Sequence, residues 1–206
     1  MPEMKNLIRI SKKYVKPASL VLSRAFQNDP VIRWQISEVN KRLGKLHYFF
    51  EIKLRIGIKY GEVYGTSVNL EGIAIWHTPK NVNYPYLNYL IKGGFKLPFK
   101  FGIKIAKKIT FIKAVNDSMR NIYMKAPYWY LGLICVDPKF QGQGFASKLI
   151  KPMLTRIDNE KLPIYLETTL ERNIGFFEYF GFNKLEEIII PNTSIINWSM
   201  IRVNEN

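Results

Sequence analysis

Apolar residues fall into two rhythms along this chain. In the first third they recur at helical spacing: Leu20, Leu22 and Phe26, then Leu43, Leu46, Phe50, Leu54 and Ile58. Such spacing lays an apolar stripe along one side of a helix. It predicts one helix opening near Pro17, where a first turn accepts proline, and stopping at Asn28-Asp29-Pro30. A longer helix is predicted from about Glu38 to Tyr60. The second rhythm is short apolar or aromatic runs between turn residues, the mark of strands. Leu7-Ile8-Arg9-Ile10 predicts an opening strand. Glu62-Val63-Tyr64 and Gly72–Trp76 predict a pair joined by a polar turn at Ser67–Glu71, with Pro79 after the second. Tyr128–Val136 is a long aromatic strand ended by Asp137-Pro138. Pro163–Thr169, Phe182–Ile190 and Ile195–Val203 complete the set, the last two split by Pro191-Asn192.

Two helices interrupt this strand-rich half. One is predicted from about Gly144 to Asp158, with Phe145, Leu149, Met153 and Ile157 on one face. Pro152 inside it removes a backbone donor and is expected to kink or loosen it. The other is a short aromatic helix, Asn173–Phe180, closed by Gly181. The segment from Pro85 to Asn116 is less regular. Lysines 92, 96, 100, 104, 107, 108 and 113 alternate there with Phe and Ile, and Gly93-Gly94 and Pro98 predict at least two helical pieces. No internal repeat, low-complexity tract or linker divides the 206 residues, so one domain spanning 1–206 is expected.

Charge adds one question. Thirty-one Lys and Arg against 16 Asp and Glu give a net charge of +15, which attracts polyanions. The basic 92–113 segment has the pattern of a surface helix with its apolar side on the core, and also of a membrane or nucleic-acid contact. A nucleic-acid or membrane partner ranks below a small-molecule one, because it would leave the phosphate loop described next as a coincidence. The single Cys135 excludes an internal disulfide framework and fits a cytoplasmic, reducing setting. No signal-peptide pattern follows the first residues, and no run reaches the roughly 18 apolar residues of a membrane helix. Two histidines and one cysteine give no zinc-ligand spacing, so no metal is expected.

The informative unit is strand, Asp-Pro, short loop, Gln141-Gly142-Gln143-Gly144-Phe145-Ala146, helix. The first amides of a helix lack internal partners and the helix dipole adds positive potential there. Gly142 and Gly144 let the backbone turn sharply and approach a ligand. A pyrophosphate fits such a nest. A P-loop is excluded, because Gly144-Phe145-Ala146 lacks its Lys-Ser/Thr. A dinucleotide fingerprint is weakened by Ser147 at its sixth place, although Glu167 falls roughly where a ribose-binding acid would stand.

The loop resembles the Gln/Arg-x-x-Gly-x-Gly/Ala motif of the GCN5-related N-acetyltransferases (GNAT). Asn173 with Phe176–Phe182, and the strand Tyr165–Thr168, extend the resemblance. Trp129–Phe182 is similar to the puromycin N-acetyltransferase branch, whereas upstream only Ala25–Pro30 and Ile73–Trp76 echo it. The resemblance implies an α/β fold with a mixed, mostly antiparallel sheet flanked by helices. Its strands Trp129–Val136 and Ile164–Thr168 would splay to admit coenzyme A. Residues 1–120 would shape the acceptor site and 121–206 the cofactor site. Pantetheine would bond to backbone at Ile134, Cys135 and Val136. The pyrophosphate would rest on Gln141–Ala146 with Ser147 as an extra donor. Asn173 would reach the pantetheine arm, while Phe176 and Phe177 pack on the cofactor.

The implied activity is acetyl transfer from acetyl-CoA to the primary amine of a small molecule or peptide by direct attack, with a backbone amide at Ile134 or Cys135 receiving the oxyanion. The alternative is a module that binds acyl-CoA without catalysis. Phe177 stands where the family often carries an acid tyrosine, so Tyr179 is the nearest phenol for that role. Glu167 is the leading general base, with Glu62 and His77 behind it. Cys135 as a covalent acetyl carrier ranks below a buried strand residue. A homodimer is left open.

Overall fold

The computed structural model describes residue 4 and residues 6–82, 91, 94–125 and 127–203. Seven strands form one sheet: β1 (Ile8–Arg9), β2 (Gly61–Gly65), β3 (Gly72–His77), β4 (Trp129–Val136), β5 (Ile164–Thr168), β6 (Asn183–Ile189) and β7 (Ile196–Arg202). Their order is β1-β2-β3-β4-β5-β7-β6, and among the described residues only the β4–β5 pair is parallel. The helices are α1 (Val15–Phe26), α2 (Pro30–Gln35), α3 (Val39–Tyr60), α4 (Leu97–Phe101), α5 (Ile103–Tyr123), α6 (Phe145–Glu160) and α7 (Ile174–Tyr179). This is the expected mixed, mostly antiparallel sheet flanked by helices.

Alternation along the strands distributes side chains to two apolar layers. Val63, Ile73 and Ile75 pack with α1, α3 and the start of α5, while Ala74, Trp76, Trp129 and Leu131 pack with α6 and α7. In β4 the alternation slips. Ile75 pairs with Leu133 but Trp76 pairs with Leu131, so Gly132 is an extra residue, a β-bulge. Before it, odd residues Trp129 and Leu131 face the α6 layer. After it, Leu133 and Cys135 face the α1–α3 layer. The bulge therefore turns the second half of β4 over.

Several expectations need correction. Asn28-Asp29-Pro30 ends α1 but also starts α2: the Asp29 carboxylate accepts from the Ile32 amide at 3.1 Å, and Pro30 occupies the first turn. Leu43 is 59% exposed rather than buried. In its turn of α3 the buried residue is Arg42, whose guanidinium bonds the Ile36 and Ser37 carbonyls at 2.7 and 3.2 Å. Pro98 does not break the basic segment, because it sits in the first turn of α4. The break comes at Gly102, whose φ of +87° suits glycine. α5 then runs on to Tyr123, well past Asn116. Residues 85–90, 92 and 93 of that segment lie outside the described residues. Pro152 leaves α6 unbroken to Glu160, with Leu149, Met153 and Ile157 fully buried. That packed stripe holds the helix through the lost hydrogen bond.

Candidate active site

β4 and β5 pair only at Trp129–Ile164 and Tyr130–Tyr165. Beyond that point both strands continue without bonding each other. The result is a V whose arms are Leu131–Val136 and Leu166–Thr168, with unshared backbone groups along its inner edges.

At the outer end of the V lies the glycine loop. Asp137 anchors its entry. Its backbone amide donates to the Glu71 carbonyl at 2.8 Å, and its carboxylate accepts from the Lys139 amide and from Arg24 of α1. Burial raises the Asp137 pKa, but the Arg24 hydrogen bond, the Lys139 amide and the nearby positive charges outweigh it and hold the carboxyl below its usual range. Gln141 donates to the Val136 carbonyl at 3.3 Å, tying the loop to β4. Gln141–Gly144 are exposed, and Phe145, Ala146 and Ser147 half-buried. Gly142 and Gly144 have φ of +78° and +79°, and beyond their own chain neighbours no atom of the described residues lies within 4 Å of where a side chain would begin. Among the described residues no side chain caps the start of α6. Open space over unsatisfied helix-start amides is what a pyrophosphate needs, so these residues fit the phosphate end of coenzyme A.

At the inner end of the V lies a cavity of about 240 Å³. α2, α3, α5, β4 and β5 all contribute to its wall. Glu167 of β5 is central: its side chain is 5% exposed, it accepts from the Tyr130 hydroxyl at 2.7 Å, and Arg120 of α5 lies 3.4 Å from it. Arg120 also pairs with Asp117, which pairs in turn with Lys113, and its guanidinium lies 4.4 Å from the Tyr130 ring centroid. Burial raises the Glu167 pKa, while Arg120, the Tyr130 hydroxyl and Lys53 pull it back only in part. Tyr130 is pushed well above its ordinary value, first by burial and then by the Glu167 charge, so it stays a hydroxyl.

His77 stacks on Tyr130, with centroids 5.4 Å apart, and presses on Gly132, where an added Cβ would meet its ring at 2.8 Å. Burial, followed by repulsion from Lys53, Arg120 and Lys113, lowers its pKa to about 3, so the ring is neutral near pH 7.

The expected site residues divide between these ends. Ile134, Glu167, Asn173 and Phe177 line the cavity, and the Asn173 amide donates to Thr168 Oγ1 at 3.2 Å. Cys135 and Val136 continue along β4 toward Gln141–Ser147. Phe176 is half-buried, in edge contact with Phe177 and Phe180. Tyr179 is 75% exposed and outside the cavity wall, so it is not placed to protonate a group there. Glu62 is also outside it, held by Arg156 at 2.7 Å and Arg9 at 2.9 Å. Cys135 is 8% exposed, and burial pushes its thiol up to about 12 despite a hydrogen bond from Ile73. Lys53, Lys113, Asp117, Arg120 and Tyr130 did not stand out in the sequence. They are spread over three elements, and the lysines read as part of a solvated basic surface.

A sheet whose one parallel pair opens above a glycine-rich helix start, with a buried carboxylate between the arms, has the architecture of an acyl-CoA-dependent acyltransferase. The comparisons agree. The acetyltransferase (GNAT) domain model matches residues 105–184. The chain is 31% identical over 180 residues to an uncharacterized N-acetyltransferase of Schizosaccharomyces pombe, covering 84% of this chain and 72% of that protein. Among solved structures, it superposes on a histone acetyltransferase and related acetyltransferase from Corynebacterium glutamicum with a TM-score of 0.67 at 21% identity, covering 98% and 97% of the two chains. It superposes on arylalkylamine N-acetyltransferase 2 of Aedes aegypti with a TM-score of 0.66 at 16% identity, covering 97% and 98%. The chain belongs to the GNAT acetyltransferase family and is an N-acetyltransferase, of a family that uses acetyl-CoA as co-substrate. Among the described residues no helix is long and apolar enough to cross a membrane.

Proposed function

We propose that this enzyme acetylates the primary amine of a small molecule in the cytoplasm, by direct attack of the amine on acetyl-CoA. The observation that carries this reading is that one V has both parts: a solvent-open phosphate nest at its outer end and a partly open, carboxylate-bearing cavity at its inner end. Gln141–Ala146 and Ser147 hold the pyrophosphate. Ile134, Cys135 and Val136 offer backbone to the pantetheine arm, and Asn173, Phe176 and Phe177 flank it. One domain serves both tasks, residues 1–120 shaping the acceptor side and 121–206 the cofactor side. The likeness of Trp129–Phe182 to the puromycin N-acetyltransferase branch also favours a small-molecule acceptor.

Glu167 takes the proton from the acceptor ammonium. The amine nitrogen then bonds the thioester carbon, the carbon–sulfur bond breaks, the sulfur leaves as thiolate, and the nitrogen gives its second proton to solvent to become the neutral amide. An amide of Ile134 or Cys135, beyond the bulge, meets the charge developing on the carbonyl oxygen. Phe177 has no proton to give, so the thiolate takes its proton from solvent. Calorimetry with acetyl-CoA, followed by thiol release with a panel of amines, tests the reading. Heat of binding together with amine-dependent release is expected. Binding without release from any amine would instead mark an acyl-CoA-binding module.

A further inference from the structure

Three cations line the inner cavity: Lys53 on α3, and Lys113 and Arg120 on α5. Two of them are answered by carboxylates, Lys113 by Asp117, and Arg120 by Asp117 and Glu167. Lys53 makes no ion pair among the described residues. Its ammonium lies over the Phe49 ring, 5.5 Å from the centroid. Solvent reaches this side chain, yet protein crowds it on the longer scale over which a charge loses hydration. That desolvation, with repulsion from Lys113 and Arg120, brings its pKa down to about 8. Two polar atoms on the same wall also have no hydrogen-bond partner among the described residues. They are Arg120 Nε, on a residue 6% exposed, and Gln35 Oε1, on a residue 3% exposed.

The carboxylates of this wall, Asp29, Asp117 and Glu167, match its three cations in number, but Asp29 accepts from the Ile32 amide and the Thr169 hydroxyl and is not paired with Lys53. An unpaired cation and an unused buried donor are both relieved by an anion. An amine held among these cations is also more readily deprotonated, as attack requires. We propose that the acceptor is an amine that also carries a carboxylate, which Lys53 and Arg120 Nε receive while Glu167 and the Gln35 carbonyl face the amine. This rests on the acetyl-transfer reading above and narrows its substrate class. The cavity, about 240 Å³, suits a compact acceptor of amino-acid size.

Thiol release from acetyl-CoA with matched amines tests it: β-alanine against propylamine, tyrosine against tyramine, and phosphoethanolamine as the arm in which phosphate replaces carboxylate. The carboxylate member of each pair is expected to be favoured by about tenfold to a hundredfold in kcat/KM, mostly through KM. Lys53→Gln should erase that preference and Lys53→Arg should keep it. Lys53 is exposed on its helix, so neither change threatens folding. Equal use of both members, a preference that survives Lys53→Gln, or phosphoethanolamine outrunning both carboxylates would overturn the assignment, while acetyl transfer itself would stand. Silence with every amine, and no heat with acetyl-CoA, would remove the acetyl-transfer reading and this inference with it.

Discussion

The two ends of the V recognise their ligands by opposite means. The outer loop uses main chain: two glycines at positive φ and the first amides of α6, with almost no side-chain chemistry. The inner cavity uses charged side chains drawn from α3, α5 and β5, with the Tyr130 hydroxyl of β4 among them. A main-chain site tolerates most side-chain changes but not a change of backbone conformation. A side-chain network is the reverse: each member holds the next, and losing one leaves buried charge unanswered. Mutations at the two ends should therefore separate cleanly, with binding of acetyl-CoA lost at one end and turnover at the other.

The largest effect is expected from Glu167→Gln. It keeps shape but removes the group that accepts the acceptor's proton. kcat should fall by about 10²–10⁴-fold at neutral pH, while calorimetric affinity for acetyl-CoA stays unchanged. The wild-type pH profile sharpens the point. Glu167 works deprotonated, and burial raises its pKa, so activity should fall with acid on a limb lying above the ordinary carboxylate value. Wild-type-like turnover and pH profile in the variant would move the base elsewhere in the cavity.

Next in size is Gly144→Val. A β-branched residue at φ +79° is strained, and its side chain would enter the space left open over the loop. Affinity for acetyl-CoA should drop by about tenfold or more, with the saturated rate little changed. Were turnover to collapse with affinity intact, the two ends would not be separable as described.

This contrast also explains what was legible beforehand. Backbone recognition leaves a local mark, glycines at fixed offsets after a strand, so Gln141–Ala146 and the strands around it could be read from the chain. The V itself followed from the resemblance to the family. The inner network left no such mark. Arg120 and Glu167 are 47 residues apart, and Lys53 lies in a helix with three other lysines, of which Lys59 is exposed as it is. Nothing in the local pattern distinguishes Lys53 from Lys59. The bulge at Gly132 was likewise invisible, because it appears only in the pairing of β4 with β3. Tyr179 is the nearest phenol in sequence, but the phenol that the fold brings to the cavity is Tyr130, whose hydroxyl already donates to Glu167.

A smaller effect is expected where the loop is moored. Asp137→Asn removes the charge that Arg24 and the Lys139 amide hold. Arg24 is half exposed, so solvent screens much of the attraction, and a loss of about 1 kcal/mol in unfolding free energy is expected. The sign with pH follows from the depressed folded pKa. The contribution is complete above the ordinary carboxylate value of 3.8 and is lost as pH falls through the lower folded value. Wild type and Asp137→Asn should therefore differ in chemical denaturation at pH 6 and converge toward strong acid. A gap that persists in acid would mean that shape, rather than charge, moors the loop.

The smallest effect should come from Cys135→Ala, and it bears on the comparison because Cys135 lies on the strand joining the two ends. A thiol whose pKa is pushed up to about 12 is almost wholly protonated at pH 7, and a thiol is a far poorer nucleophile than a thiolate. Its Sγ faces the α1–α3 layer and not the V. What the arm of β4 contributes at this position is its main chain, which alanine preserves. Turnover and acetyl-CoA affinity should match wild type, with a stability loss of about 1 kcal/mol for the small void. Mass spectrometry after incubation with acetyl-CoA alone should find no acetyl group on Cys135. An acetylated thiol, or a turnover defect in the alanine variant, would show the transfer to be two-step and would place chemistry on the strand that here serves only as a scaffold between the main-chain nest and the charged cavity.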